Sequence, residues 1–294
     1  MEILDGKKIS NLIKDEIKNE VEKMISKNIR PPHLAAILVG DDGASLTYVS
    51  SKVRACERVG FKSSLFRFNK KISEREILLK IDKLNKDNLI DGYIVQLPLP
   101  PHINEEKILL AVDPKKDVDG FHPTNFGRMA LDMDAFIPAT PFGIVELLKR
   151  YQINTIGKHC VVIGRSHIVG RPISILMSQK SKNTNSTVTL IHSRSNNIKE
   201  ITKSADIIIS ALGIPEFLKA EMVKKNVVIV DVGITRVLDK SKPKGYSIKG
   251  DVDFKTVSKK ASFITPVPGG VGPMTIAMLL KNTLKARKLS IQLN

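Results

Sequence analysis

HLAAILVG (residues 33–40), followed directly by DDGASLTYVSSKVRACERVG (41–60), decides the fold. The first run is continuously apolar and has the length of a strand buried on both faces. After it, Leu46, Val49, Val53 and Cys56 recur at helical period, which predicts a helix over 45–60. On that helix Tyr48 and Lys52 are four residues apart and share a face. They lie roughly 80 to 120° from the centre of the apolar stripe, where a core-facing helix borders a cleft. An ordinary surface tyrosine and lysine fit this pattern equally, so the role of the pair rests on the rest of the chain.

Outward from this stretch the alternation repeats: strand SSLFRF (63–68), a helix over 73–87 opened by Ser73 with Glu76 three residues on, and strand GYIVQ (92–96). Strand and helix in alternation mean a parallel sheet with helices on its faces. Ahead of it, apolar positions from Ile9 to Ile25 predict a helix over 6–28, ended by Pro31 and Pro32. Behind it come the proline-rich LPLPP, a short helix over 104–112 and the loop DPKKDVDGFHP. Ligands of open α/β sheets bind beyond the carboxyl ends of the strands, so Gln96 and this loop are candidates to face Lys52.

FIPATP (136–141) reads as a boundary before a helix over 142–151. A second series follows, with strands at 159–164, 187–192, 206–213 and 227–233, a helix ending near Gln179, and ITPVPGGVGPMT (264–275) leading into a last helix from Met274 to about Lys288. The expected fold class is α/β with two parallel-sheet domains. Residues 1–140 with 275–294 form the first and 141–274 a Rossmann-type second, with a substrate cleft between them.

With 294 residues, 42% hydrophobic and 26% charged, the chain reads as soluble and globular. It has no apolar run of membrane length, and MEILDGKKIS has neither a signal-peptide core nor an acid-poor transit character, so a cytoplasmic protein with no membrane partner is expected. Cys56 and Cys160 sit in apolar surroundings and offer neither a disulfide framework nor a metal cluster; no metal is expected. The net charge of +17 invites a nucleic-acid partner. Lysines scattered beside acids, as in KDEIKNEVEK, and few aromatics speak instead for a solvated surface that attracts small polyanions, and no nucleic-acid partner is expected.

Gly164-Arg165-Ser166-His167-Ile168-Val169-Gly170 lies between a predicted strand and helix, the context a dinucleotide loop needs. Ser166 stands in place of the middle glycine, and the run alone also fits a plain strand-to-helix turn. The next strand ends in His192, Ser193 and Arg194 rather than in the acid that takes ribose hydroxyls at an NAD site. A hydroxyl and a guanidinium suit a 2′-phosphate, with Arg165 available from the first loop, and favour NADP over NAD. A tyrosine, three residues and a lysine suggest a short-chain dehydrogenase. In that family, however, the pair follows the glycine loop within one domain, whereas Tyr48 and Lys52 precede Gly164 by more than a hundred residues.

Taken together, YVSSKVRACE, GYIVQLPLP, KDVDGFHP, VVIGRSHIVGRP, VDVGI and ITPVPGGVGPMT resemble the bifunctional methylenetetrahydrofolate dehydrogenase/cyclohydrolase family over essentially the whole chain, in the same order. The resemblance implies oxidation of 5,10-methylenetetrahydrofolate by NADP and hydrolysis of the methenyl product to 10-formyltetrahydrofolate, by a homodimer. By motif match, Lys52 is the catalytic lysine and Gln96 holds it, while Tyr48 stacks on the aminobenzoyl ring and Asp119 binds the pterin. Pro266, Gly269 and Gly270, with Gly272 and Pro273, bring backbone close to folate and cofactor. Gly164, Arg165, Ser166, Gly170, Ser193, Arg194, Ile234 and Thr275 line the cofactor site. Asp117 reads as a loop-capping acid and His167 as an exposed loop residue. Ala139 stands where relatives often carry cysteine, and the polar run 179–186 is longer than the resemblance leads one to expect. Two alternatives stay open: a dehydrogenase with little cyclohydrolase activity, and a basic binding module that keeps a nucleotide fold.

Overall fold

The computed structural model describes residues 1–242 and 245–292. It divides into two compact units, one of Met1–Ser10 with Thr140–Thr275, the other of Asn11–Ala139 with Ile276–Asn294. The last two residues of the latter range lie outside the described residues. In chain order the elements are β1 (Glu2–Ile3), α1 (Gly6–Ile25), β2 (His33–Val39), α2 (Gly43–Val59), β3 (Lys62–Phe68), α3 (Glu74–Lys86), β4 (Gly92–Val95), α4 (Glu105–Ala111), α5 (Pro123–Ala130) and α6 (Ala139–Arg150). Then follow β5 (His159–Ile163), α7 (Gly170–Ser178), β6 (Thr187–Ile191), α8 (Ile198–Ser204), β7 (Ile207–Ser210), β8 (Val227–Asp231), β9 (Thr235–Leu238), β10 (Tyr246–Lys249), α9 (Phe254–Val257), β11 (Ala261–Ile264) and α10 (Val271–Gln292).

The unit of residues 11–139 is built on a parallel sheet of order β3-β2-β4. Central β2 is the apolar run HLAAILV, buried from Leu34 to Val39, as a strand covered on both faces requires. Its core of Ile37, Val39, Ile77, Ile81, Tyr93 and Ile108 is withdrawn from water; each such side chain contributes about 2 kcal/mol. Helix boundaries follow local chemistry. The Asp42 carboxylate accepts the Ser45 N–H at 2.8 Å and starts α2, and Gly60, at φ +78°, ends it in the left-handed conformation. Ser73 and Glu76 form the capping box of α3. A partly buried Arg30–Asp91 pair, at 2.7 and 2.9 Å, ties the amino end of β4 to β2, because the Asp91 carboxylate also accepts the His33 N–H at 2.8 Å.

In the other unit the sheet runs β1-β11-β8-β7-β5-β6, all neighbours parallel, with β9 and β10 as a separate antiparallel hairpin. From β5 the chain steps out to β6 and then back across to β7, so the strand order reverses between β5 and β7. Ligands of such sheets bind at that crevice.

The structure differs from the sequence reading in several places. Residues 1–10 belong with residues 140–275 rather than with the first domain: Glu2 and Ile3 pair with Phe263 and Ile264 of β11, and the Asp5 N–H donates to the Tyr151 hydroxyl at 2.9 Å. A two-residue strand carries no periodicity to read. Helix α6 begins at Ala139, which puts Pro141 in its first turn, where a missing N–H costs nothing. Helix α10 starts at Val271 and runs to Gln292. No described helix is long and apolar enough to cross a membrane.

Candidate active site

Helix α2 and the carboxyl end of β4 bring Lys52 and Gln96 together, with Lys52 Nζ donating to Gln96 Oε1 at 3.2 Å. The Gln96 amide is held from its other side, since its Nε2 donates to the Leu97 carbonyl at 2.8 Å. The carbonyl therefore points at the lysine by construction. Asp119 completes the cluster. Burial raises the proton affinity of its carboxyl, the Lys52 charge pulls it down, and Asp117 pushes it up again. Tyr48, one turn ahead of Lys52 on α2, is 39% exposed.

The loop that presents Asp119 is anchored on both sides. The Tyr93 N–H on β4 donates to the Lys116 carbonyl at 3.0 Å. The Asn282 side chain on α10 donates to the carbonyls of Val118 and Ile137, each at 2.9 Å. Asp117, read from sequence as a loop-capping acid, accepts the N–H groups of Phe121 at 3.1 Å and His122 at 2.8 Å. Gly120 lies at φ +74°, and a Cβ there would meet the Phe136 carbonyl at 2.6 Å.

The dinucleotide candidates cluster in the other unit, at the β5/β7 reversal. Gly164 (φ +111°) is so close to the loop after β7 that a Cβ would lie 2.2 Å from the Ala211 carbonyl oxygen. At Gly170 a Cβ would lie 2.0 Å from the Gly164 carbonyl oxygen. The Ser166 hydroxyl accepts the N–H groups of Val169 and Gly170, both at 3.2 Å, capping α7 where its own N-cap residue has no side-chain acceptor. Because Ile163 of β5 pairs with Ile191 of β6, Arg165 and the Ser193–Arg194 turn leave the sheet from adjacent strand ends. In that turn the His192 ring accepts the Arg194 N–H at 3.2 Å, and Ser193 and Arg194 stay exposed, as does Arg165. Two guanidiniums, two hydroxyls and a helix N-terminus, with no carboxylate at the end of β6, form a donor set that fits a phosphorylated dinucleotide.

Ile234, 47% exposed, follows β8 in the same unit. Thr275 shares a hydrogen bond with Thr140 at 2.9 Å. Pro266, Gly269 and Gly270 also belong here rather than to the Lys52 unit. Their glycines have a reason internal to the chain: a Cβ on Gly6 would lie 1.8 Å from the Gly270 carbonyl oxygen, and the Lys7 N–H donates to the Gly269 carbonyl at 2.9 Å.

Sequence reasoning passed over an acid pair beside this crevice. The Asp231 carboxylate, at the end of β8, accepts the N–H groups of Gly233, Asp251 and Val252. Asp251 Oδ2 accepts those of Leu212 at 2.6 Å and Gly213 at 3.2 Å. Burial pushes the Asp231 carboxyl up to about 7, the three N–H groups oppose this, and the Asp251 charge adds to it. The signal was present in GDVD (250–253), which follows VDVG (230–233) after the hairpin.

Comparison with known proteins agrees with this geometry. Residues 4–119 match the family model for the tetrahydrofolate dehydrogenase/cyclohydrolase catalytic domain, and residues 138–291 that for its NAD(P)-binding domain. The chain is 68% identical over 289 residues to the bifunctional protein FolD of Flavobacterium johnsoniae, covering 98% of each. Among solved structures, the FolD methylenetetrahydrofolate dehydrogenase/cyclohydrolase of Campylobacter jejuni is 48% identical, with a TM-score of 0.92 over 98% of this chain and 99% of that one. The dehydrogenase-cyclohydrolase of Trypanosoma brucei, solved with NADP cofactor and inhibitor, is 36% identical, with a TM-score of 0.94 over 99% of this chain and 98% of that one. The chain belongs to the tetrahydrofolate dehydrogenase/cyclohydrolase family.

Proposed function

We infer that the protein oxidises 5,10-methylenetetrahydrofolate to the methenyl cation with NADP and then hydrolyses that cation to 10-formyltetrahydrofolate, in one-carbon metabolism. The observation that carries the catalytic assignment is the Lys52–Gln96 hydrogen bond at 3.2 Å beside Asp119, in a chain that matches both family models. NADP, when bound, accepts the hydride. Arg165 and Arg194 would hold its 2′-phosphate, Ser166 and the start of α7 its bridging phosphates, with Gly164, Gly170, Ser193, Ile234 and Thr275 around it.

The first step is driven by the folate nitrogen lone pairs and needs positioning more than a strong base. Tyr48 supplies a stacking face for the aminobenzoyl ring. Asp119, as a carboxylate, accepts two hydrogen bonds from the amino and ring N–H edge of the pterin. Pro266, Gly269 and Gly270 approach the substrate through backbone. In the second step water adds to a cationic carbon and must lose a proton. Lys52 Nζ, its direction fixed by Gln96 Oε1, is the group placed to handle that proton. Residues 11–139 with 276–292 then make up the folate unit and 140–275 the NADP unit. The family resemblance further supports a cytoplasmic homodimer acting on small molecules rather than nucleic acid; sedimentation tests the dimer.

Incubation with methylenetetrahydrofolate and either NADP or NAD, following the methenyl chromophore, tests the reading. Turnover with NADP is expected, and none with either nucleotide would sink it.

A further inference from the structure

KDVDG holds two acids two residues apart, and the structure separates them by what reaches their oxygens. Asp117 is 5% exposed, and its acceptors are occupied: Oδ1 by the Phe121 N–H, Oδ2 by the His122 N–H and by the Asn125 side-chain amide at 2.8 Å. Among the described residues no hydrogen bond reaches the Asp119 carboxylate, so its lone pairs are unspent. Asn125, 4% exposed, is fixed in turn, donating to the Pro114 carbonyl at 2.9 Å and accepting the Phe136 N–H at 3.3 Å. Residues 114 to 122 are thus folded around one carboxylate, and the residue they lift toward Lys52 is Asp119.

We propose that Asp117, seated by Asn125, is a positioning residue that sets the direction of the Asp119 carboxylate toward its ligand. This rests on the reading that Asp119 receives the pterin edge. Three donors converge on Asp117, and only a carboxylate accepts from all of them. An asparagine has one acceptor oxygen and turns its NH2 toward a donor. The charged groups that face Asp119 are the Lys52 ammonium from α2 and Asp117 on its own loop, acting in opposite senses. Removing the Asp117 charge takes away one of the two influences that raise the Asp119 carboxyl, burial being the other, and so makes Asp119 easier to ionise.

The test uses the full chain. Asp117→Asn, Asn125→Ala and, as reference, Asp119→Asn are compared with the parent for folate KM, NADP affinity and the pH profile of kcat/KM, with far-UV circular dichroism as the control for folding. The expected result for Asp117→Asn is a folate KM raised about tenfold or more, an unchanged NADP affinity, and an acid limb of kcat/KM moved to lower pH. A purely structural role for Asp117 would move neither folate KM nor the acid limb of the folded variant, and that result overturns the proposal. Should Asp117→Asn fail to fold, Asn125→Ala, which removes one of the three bonds, decides: a smaller rise in folate KM supports positioning and an unchanged KM rejects it. An unchanged folate KM in Asp119→Asn rejects the pterin assignment itself. A raised value there beside an unaffected Asp117→Asn rejects positioning alone.

Discussion

Asp231 makes the stability of its unit depend on pH in a direction opposite to that of an ordinary ion-paired acid. Its carboxyl is pushed from 3.8 up to about 7 in the folded chain, because the end of β8 is closed to water and the ionised form is poorly solvated. Between those values the folded state holds a proton that the unfolded chain has released. Stability therefore falls as pH rises through this window and is greatest below it. A shift of roughly three units corresponds to about 4 kcal/mol in full, of which about 2 to 3 kcal/mol is expressed between pH 5 and pH 8. Asp231→Asn is the comparison. The amide keeps an acceptor toward Gly233 and Asp251 but turns an NH2 toward the Val252 N–H, a cost that does not vary with pH. Urea unfolding of the ligand-free chain, followed by far-UV circular dichroism at pH 5, 6.5 and 8, gives the difference between parent and variant. That difference is expected to shrink by about 2 to 3 kcal/mol, to the parent's disadvantage, from pH 5 to pH 8. A difference that is flat or grows with pH would refute the assignment and leave the three N–H donors dominant over burial.

Lys52→Met is expected to abolish hydrolysis of supplied methenyltetrahydrofolate while the circular dichroism spectrum persists; unchanged hydrolysis would mean that another group moves the proton. Arg165→Ala with Arg194→Ala should weaken NADP far more than NAD in a fluorescence titration, since both guanidiniums leave adjacent strand ends, and equal losses would count against the 2′-phosphate site. Asp91→Ala removes the carboxylate partner of Arg30, which keeps the Pro31 and Asn88 carbonyls, and strands the His33 N–H; a loss of about 2 kcal/mol is expected from urea unfolding. Gly170→Ala, whose Cβ would lie 2.0 Å from the Gly164 carbonyl oxygen, should impair nucleotide binding while leaving the folate unit's hydrogen-exchange protection unchanged.

The α/β class was legible because β2 is a continuous apolar run and α2 carries a helical period, and the capping box of α3 is written in Ser73 and Glu76. Several elements were not legible, each for a local reason. β1 is two residues long, β11 four, and the β9–β10 hairpin is partly exposed and lacks a continuous apolar run. Helix α5 is started by the His122 ring accepting the Thr124 N–H, with Pro123 at its first position, just where the stretch whose Asp and Gly content spoke for loop ends. The polar run 179–186 left no pattern to read, yet it satisfies itself. Thr184 donates to the Gln179 carbonyl and pairs with the Ser181 hydroxyl, and Ser186 donates to the Thr155 carbonyl. Hydroxyl groups bonding to nearby backbone produce an ordered loop without hydrophobic periodicity. Lys52 and Gln96 could be paired in advance, because α2 follows directly on β2 and Gln96 lies at the carboxyl end of the parallel neighbour of β2, β4. Asp231 and Asp251 could not, because the hairpin stands between them in sequence.

Among the described residues, Asp91, Asp117 and Asp231 contrast with Asp119, and sequence does not tell them apart. At Asp91, Asp117 and Asp231 the oxygens are filled by the chain's own N–H groups, and in each case the donors come from a strand end or the start of a loop. Such an acid is a template: it gives backbone groups that lack a sheet or helix partner somewhere to go. Asp119 differs, held half-buried next to a lysine with its acceptors unspent. The protein brings no donor among the described residues to the Asp119 carboxylate, whereas it supplies three to its neighbour two residues earlier. That asymmetry within KDVDG, more than the burial of either acid, is what the proposed roles of Asp119 as pterin acceptor and Asp117 as its positioning residue rest on.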